Sequence, residues 1–327
     1  MTRASQFRLS ELLKHAVLLL GALVVLAPFA VMISTSLKSP GEIERGTGGF
    51  FGAQAPMVNE RCAMANAPRR DDLDAARAAD PGLTDARLME ALTAEVREAC
   101  TTSPIAFNYG SAFSEAPLLR YLLNGVIVTG SIFLLQMIVA LPAAYALSKL
   151  RFWGRDAVFG MVLFCLLIPV HAIALPIYLG LAKMGLTNTY AALVIPWVIS
   201  AFGIFLMRQF FMTVPDDLVD AARMDGMSEL AIVWRVMLPT AIPALLAFAI
   251  FSVVAHWNDY FWPRIVVTGD RSLFTPPLGL REFQAGSDGN LYGPMMATAT
   301  VIVVPLLVAF LLAQRRFIDG ITLSGMK

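Results

Sequence analysis

Lysine is scarce in this chain. Its five lysines, Lys14, Lys38, Lys149, Lys183 and Lys327, follow Leu, Leu, Ser, Ala and Met. A P-loop needs a glycine directly before its lysine so that backbone amides can cradle phosphates; that motif is absent, and ATP hydrolysis is expected on another chain. Cysteine is equally sparse: Cys62, Cys100 and Cys165 form no CxxC pair, and no histidine stands at zinc-ligand spacing. No metal and no bound cofactor are expected. Charged residues make up 15 % of the chain and the formal net charge is +1, so the basic footprint of a nucleic-acid binder is missing.

What fills the chain instead is apolar: 57 % of it, against roughly 45–50 % in soluble domains. The excess is concentrated in six windows free of Asp, Glu, Lys and Arg: 16–37, 121–148, 157–182, 184–207, 236–258 and 291–314. Each is at least 22 residues long, and about 20 residues of helix cross a hydrocarbon core. Backbone facing lipid must satisfy its own hydrogen bonds, so each window is predicted to be a helix. The first is expected to be uncleaved. Its apolar run from Ala16 to Ile33 outlasts a signal-peptide core, and no small-residue cleavage site follows in Ser34–Lys38. Pro142, Pro169, Pro176, Pro196 and Pro305 lie inside windows, where each removes a donor and invites a kink.

Orientation follows from short-loop Lys and Arg. Twelve fall on one side: Arg3, Arg8, Lys14, Lys149, Arg151, Arg155, Arg208, Arg223, Arg235, Arg315, Arg316 and Lys327. Four fall on the other: Lys183, Arg264, Arg271 and Arg281. Both termini are therefore expected in the cytoplasm. The resulting plan is an all-α polytopic membrane protein. Residues 1–37 form the cytoplasmic N-terminus and first span, 38–118 an outside loop, 119–314 a five-helix core, and 315–327 a cytoplasmic tail.

The outside loop opens with a flexible glycine-rich stretch, Gly46-Thr47-Gly48-Gly49. Asp71 to Cys100 reads as helical, broken at Pro81-Gly82, with Thr84 as an N-cap and Leu88, Leu92 and Val96 on one face. Cys62 and Cys100 share this segment; outside the cytoplasm they form either a disulfide or two free thiols.

The loop between the fourth and fifth windows, residues 213–238, has its own pattern. Pro215 suits a first helical turn, and Asp216 and Asp217 favour the positive helix end. Leu218, Ala221 and Ala222 make a small apolar face, and Asp225-Gly226 stops the helix. Ser228 can cap a second short helix with Glu229 in its first turn, running through Leu230, Val233 and Trp234 to Leu238-Pro239. This is a helix–turn–helix lying on the cytoplasmic surface.

The pattern Asp220-Ala221-Ala222-x-x-Asp225-Gly226, followed by Leu238-Pro239 and Pro243, resembles the EAA loop of ABC importer permeases. It departs from the family in having Asp at 220 where Glu is usual and Met at 227 where Ala is usual. Phe205-Leu206-Met207-Arg208-Gln209-Phe210-Phe211, Trp257-Asn258-Asp259-Tyr260, and Phe317-Ile318-Asp319-Gly320 with Lys327 resemble the carbohydrate-uptake branch. The likeness is to the type represented by the second maltose permease and the glycerol-3-phosphate permease, over residues 1–37 and roughly 119–327.

The resemblance implies a type I importer permease fold in the bacterial inner membrane and a path for a sugar, polyol or sugar phosphate. It also implies a second permease subunit, two copies of a cytoplasmic ATPase that uses ATP, a solute-binding protein outside, and surrounding lipid. The EAA loop would be the helix that docks on the ATPase. Asp220 would then meet polar or basic groups there, and Ala221 and Ala222 would mark the closest approach, with Asp225 and Gly226 forming the turn.

An ion-coupled transporter is the rival reading, since such proteins carry ionisable groups at membrane depth. Only His171 and His256 lie inside the windows. His171 either faces a pathway or bonds between helices. His256 and Asn258, with Trp257, either meet a solute hydroxyl or anchor the chain at the interface. The charge asymmetry makes a topological prediction. A periplasm-dependent phosphatase reporter should be active when inserted within 38–118 and inactive at the C-terminus, and the reverse pattern would invert the topology.

Overall fold

The computed structural model describes residues 3–80, 82–284 and 291–324. It divides into two units, Met1–Ala116 with Glu282–Val301 and Pro117–Arg281 with Ile302–Lys327. In the first, α1 (Arg3–Ser36) carries the first apolar window, of which Glu11–Ser36 is long and apolar enough to cross a membrane. Leu12, Val17, Leu18, Val24 and Leu26 stand exposed on it, an arrangement that hydrocarbon favours and water penalises.

Helix α2 (Pro40–Arg45) begins with a capping box between Ser39 and Glu42. The Glu42 carboxylate also accepts the N–H of Ala53 at 2.6 Å. The backbone bond from Ser39, then that from Ala53, holds the carboxyl below its ordinary pKa. Gly48, at φ +89°, lies so close that a Cβ there would come within 2.4 Å of Glu42 Oε1. The stretch expected to be flexible is thus folded around a carboxylate, whose pull the composition does not reveal.

Two short strands, β1 (Met57–Val58) and β2 (Thr101–Thr102), pair antiparallel with Met57 opposite Thr102. Between them lie α3 (Glu60–Ala65), α4 (Arg70–Ala79) and α5 (Asp85–Ala99). The break between α4 and α5 falls where Pro81-Gly82 places it. Thr84 occupies the N-cap position of α5, although its side chain makes no cap bond. Leu88 is buried, and Leu92 and Val96 are half-buried. A disulfide joins Cys62 to Cys100 beside the strand pair. In α6 (Pro104–Ser114), buried Asn108 donates to the carbonyls of Ser36 and Lys38, each at 2.9 Å, tying down the end of α1.

The second unit is built on α7 (Leu118–Lys149), a 32-residue helix that runs unbroken through Pro142. Three windows predicted as single helices are instead bent pairs. Window 157–182 is α8 (Arg155–Leu167) and α9 (Val170–Lys183), turned by 101°. Pro169 has no N–H and forces Ile168 out of the helical region, to ψ 121°. Pro176, by contrast, sits inside α9. Window 184–207 is α10 (Tyr190–Val194) with a 3₁₀ turn at Ile195–Trp197, then α11 (Ala201–Phe211), bent by 41°. Pro196 lies in that turn, and Ser200 starts α11 by accepting the Gly203 N–H at 3.0 Å.

The 213–238 loop supplies α12 (Asp216–Met224) and α13 (Glu229–Ile232), then a π turn at Val233–Met237 and α14 (Leu238–Thr240). These lead into α15 (Ile242–Trp257) through an 88° bend. The bend thus falls inside the fifth window, between residues 240 and 242, and the Pro239 and Pro243 pair brackets it. Short helices α16 (Phe261–Val266) and α17 (Pro276–Gly279) precede α18 (Tyr292–Ser324), which continues through Pro305. Of the tail residues, Lys327 lies outside the described residues.

The disulfide closes a segment with a sequence separation of 38, for which chain entropy gives roughly 4 kcal/mol of stabilisation. Cys62→Ser should loosen α3–α5 selectively, seen as faster proteolysis between residues 60 and 100 with the spans still protected. Unfolded wild-type protein, with thiols trapped at lysis, should label at 62 and 100 only after reduction.

Candidate coupling loop and membrane cavity

Helix α12 lies against the rest of its unit by one face. Val219 and Ala222 are buried in a cluster with Ala140, Leu141, Ala144, Phe211, Ile232 and Phe248 from α7, α11, α13 and α15. The opposite face is open: Leu218, Ala221, Met224 and Asp225 are exposed, Met224 to 88 %. This corrects one expectation. Ala222 packs inside its own chain, because its 3.6-residue phase matches Val219, so Ala221 alone is left to allow a close approach.

The helix is pinned at both ends. At its start, the buried Lys149 ammonium meets Asp216 at 2.5 Å and the Val214 carbonyl at 2.6 Å. The Lys149 bond holds the Asp216 carboxyl below its ordinary pKa. At its end, the Arg223 guanidinium donates to Glu229 at 2.8 Å and to Asp220 at 2.9 Å. These carboxylates, Glu229 first, push the Arg223 pKa further up. Tyr145 of α7 donates its hydroxyl to the same Glu229 carboxylate. Asp220, expected to reach a partner, is therefore already paired within the loop, though its side chain stays 65 % exposed.

The turn between α12 and α13 rests on Gly226 at φ +76°. Its N–H reaches the Arg223 carbonyl at 2.9 Å, and Met227 N–H reaches Ala222 at 3.1 Å, closing the helix end in a left-handed cap. Ser228 then caps α13 through the Ala231 N–H at 3.3 Å. Behind the loop, Arg208 bonds the Leu147 carbonyl at 3.1 Å and lies 3.8 Å over the Phe159 ring, satisfying the end of α7.

A second feature is a cavity of about 250 Å³ where the broken spans bend. Its wall holds His171, Pro196, Trp197, His256, Asp259, Phe261 and Trp262. His171 and His256, picked out separately in the sequence, thus meet at one place. Asn258 does not join them: it is exposed and its amide turns back to the Val254 carbonyl at 2.9 Å. Sequence reasoning missed the polar thread behind the wall. Ser252 Oγ donates to Gln136 Oε1 at 2.6 Å, leaving the Gln136 amide to donate to the Trp197 carbonyl at 2.8 Å and to His256 Nε2 at 3.3 Å. Gln136, an amide at the middle of an apolar window, was the readable signal. Arg223, Met224 and Tyr145 were missed because their roles depend on which helix face is covered.

The family model described as binding-protein-dependent transport system inner membrane component matches residues 136–322. The arabinooligosaccharides transport system permease protein of Halalkalibacterium halodurans is 35 % identical over 221 residues, covering 67 % of this chain and 78 % of that protein. Its Bacillus subtilis counterpart is 30 % identical, covering 68 % and 76 %. The sn-glycerol-3-phosphate transport system permease protein of Escherichia coli O157:H7 is 33 % identical over 213 residues, covering 65 % and 75 %. In a crystal structure of a bacterial ABC transporter involved in the import of the acidic polysaccharide alginate, one chain shares the fold. Its TM-score is 0.70 at 20 % identity, over 97 % of this chain and 99 % of that one.

Gly226 has open space around it, so substitution there tests backbone conformation alone. Gly226→Ala should destabilise the turn by about 1–2 kcal/mol, and Gly226→Asn by less, because Asn enters the left-handed region more readily. Hydrogen exchange across 213–238 should rise in the order wild type, Asn, Ala. Equal exchange in all three would show that the turn does not depend on that conformation.

Proposed function

The chain belongs to the family of binding-protein-dependent transport system inner membrane components, and from that premise we propose that it forms half of the path of an ATP-driven importer for a sugar or sugar-like solute. The relatives' names support that solute class: arabinooligosaccharides in one case and sn-glycerol 3-phosphate in another. A second permease subunit completes the path, a binding protein delivers solute from outside, and two copies of a separate ATPase supply the energy. Both termini and the 213–238 loop face the ATPase in the cytoplasm, and residues 38–118 lie outside. With this assignment the ion-coupled alternative loses its ground.

The observation that carries the reading is the two-faced burial of α12. One face is locked to α7, α11 and α15 by Val219 and Ala222; the other offers Leu218, Ala221 and Met224 to a partner. An ATPase that grips the outer face moves the spans, because the inner face and the Arg223–Glu229–Tyr145 bonds leave α12 no slack. ATP-driven closure of the ATPase pair would thus be converted into rearrangement of the bent spans, which open the path to one side at a time. The exposed methionine suits this contact, since its flexible thioether fills irregular grooves.

Met224→Asp places a carboxylate where an apolar contact is proposed. The variant should insert normally but lose most of the ATPase on affinity purification and most solute uptake, whereas Met224→Leu should keep both. Retention of the ATPase and of uptake by Met224→Asp would remove this face from the docking surface.

A further inference from the structure

The wall of the cavity at the span bends has a composition that discriminates among solutes. It offers the aromatic rings of Trp197, Phe261 and Trp262, the imidazoles of His171 and His256, and the Asp259 carboxylate, with no lysine or arginine. Trp197 and Trp262 stand edge to face at 6.1 Å between centroids, and Trp197 lies 5.4 Å from His256. The Trp262 indole N–H is fixed on the Ala192 carbonyl at 2.9 Å, so its ring is held in place. Gln136 Nε2, which can only donate, stands 3.3 Å from His256 Nε2; a neutral imidazole accepting there carries its proton on Nδ1 and has that N–H to donate. Asp259 receives the Trp262 backbone N–H at one oxygen, 3.1 Å away, and a carboxylate has lone pairs for further donors.

Resting on the import reading above, we propose that this cavity is a subsite, in this subunit, for one ring of a neutral sugar, and that it turns away phosphate esters and uronates. A sugar ring has an apolar C–H face and a rim of hydroxyls that both donate and accept. The aromatic faces match the first, and His256 Nδ1–H with the Asp259 carboxylate match the second. The cavity, at about 250 Å³, is smaller than the ~300–1,000 Å³ sites that hold drug-sized ligands, so it takes one ring of a longer chain at a time. An anionic solute would meet the Asp259 carboxylate with no guanidinium or ammonium in the wall, the His171 imidazole being the one neighbouring group able to offset it. His171, the wall's other ring nitrogen source, sits 4.4 Å from Phe261 between centroids and extends the platform. Irregular backbone at membrane depth is tolerated where it lines such a cavity, which agrees with the two bends beside Val170 and Trp197.

The test uses the assembled importer in membrane vesicles, with Ala255→Cys at the cavity wall in a Cys165→Ser background. Labelling by a small methanethiosulfonate is timed with L-arabinose, D-glucose or maltose, and with sn-glycerol 3-phosphate or D-galacturonate. At least one neutral sugar should slow labelling roughly fivefold, as mass action gives near four times Kd, while neither anion does. Trp197→Ala should abolish the protection and Trp197→Phe should keep it. Equal protection by an anion would overturn the charge filter. No protection in vesicles that still import a neutral sugar with ATP and binding protein would overturn the subsite and leave the import reading standing. Vesicles that import no neutral sugar but do import sn-glycerol 3-phosphate would overturn both the proposed selectivity and the subsite.

Discussion

The packing of Val219 and Ala222 into the cluster of α7, α11 and α15 is the contact on which the proposed coupling role depends. In the importer proposed above it would turn α12 into a lever. Buried apolar side chains such as Phe211, Ile232 and Phe248 are close-packed and transmit displacement with little compression. The polar bonds from Arg223 to Glu229 and from Tyr145 to Glu229 add direction, since they resist sliding of α12 along α7. The Arg223–Glu229 ion pair is partly exposed and worth little to stability by itself; the value of both bonds lies in fixing geometry.

The spans that would receive this motion are bent where the sequence carries proline. Pro169 and Pro196 lie at or beside two bends, and Pro239 with Pro243 flank the third. Not every proline breaks its helix: Pro142, Pro176 and Pro305 are absorbed inside α7, α9 and α18. The difference is local. At Pro169 the preceding residue is extended and no intrahelical bond is lost, whereas in α7 the 32-residue helix supplies enough neighbouring bonds to tolerate one missing donor. Two of the bends, beside Val170 and Trp197, border the aromatic cavity.

Much of this was legible from residue order. Charge-free windows located the apolar segments, Asp225-Gly226 located the left-handed turn, and Pro81-Gly82 located the break in the outer segment. Facing directions were less accessible. Ala221 and Ala222 are identical in type, and only the phase set by Val219 decides that one is covered and the other open. Asp220 reads as a free carboxylate until Arg223 is seen one turn away. The order of the glycine-rich stretch depends on the Glu42 carboxylate folding back on Ala53, a long-range bond that composition does not encode. His171, in the first turn of α9, and His256, in the last turn of α15, meet because the fold brings segments far apart in sequence to one wall.

The lever is tested most directly by the ratio of ATP hydrolysed to solute imported in proteoliposomes holding the whole importer. Tyr145→Phe and Glu229→Gln weaken the tie between loop and α7 without touching the exposed face of α12. If that tie transmits the stroke, both variants should keep the ATPase bound and hydrolysing while the ratio climbs several-fold. A ratio unchanged from wild type in both variants would contradict the account.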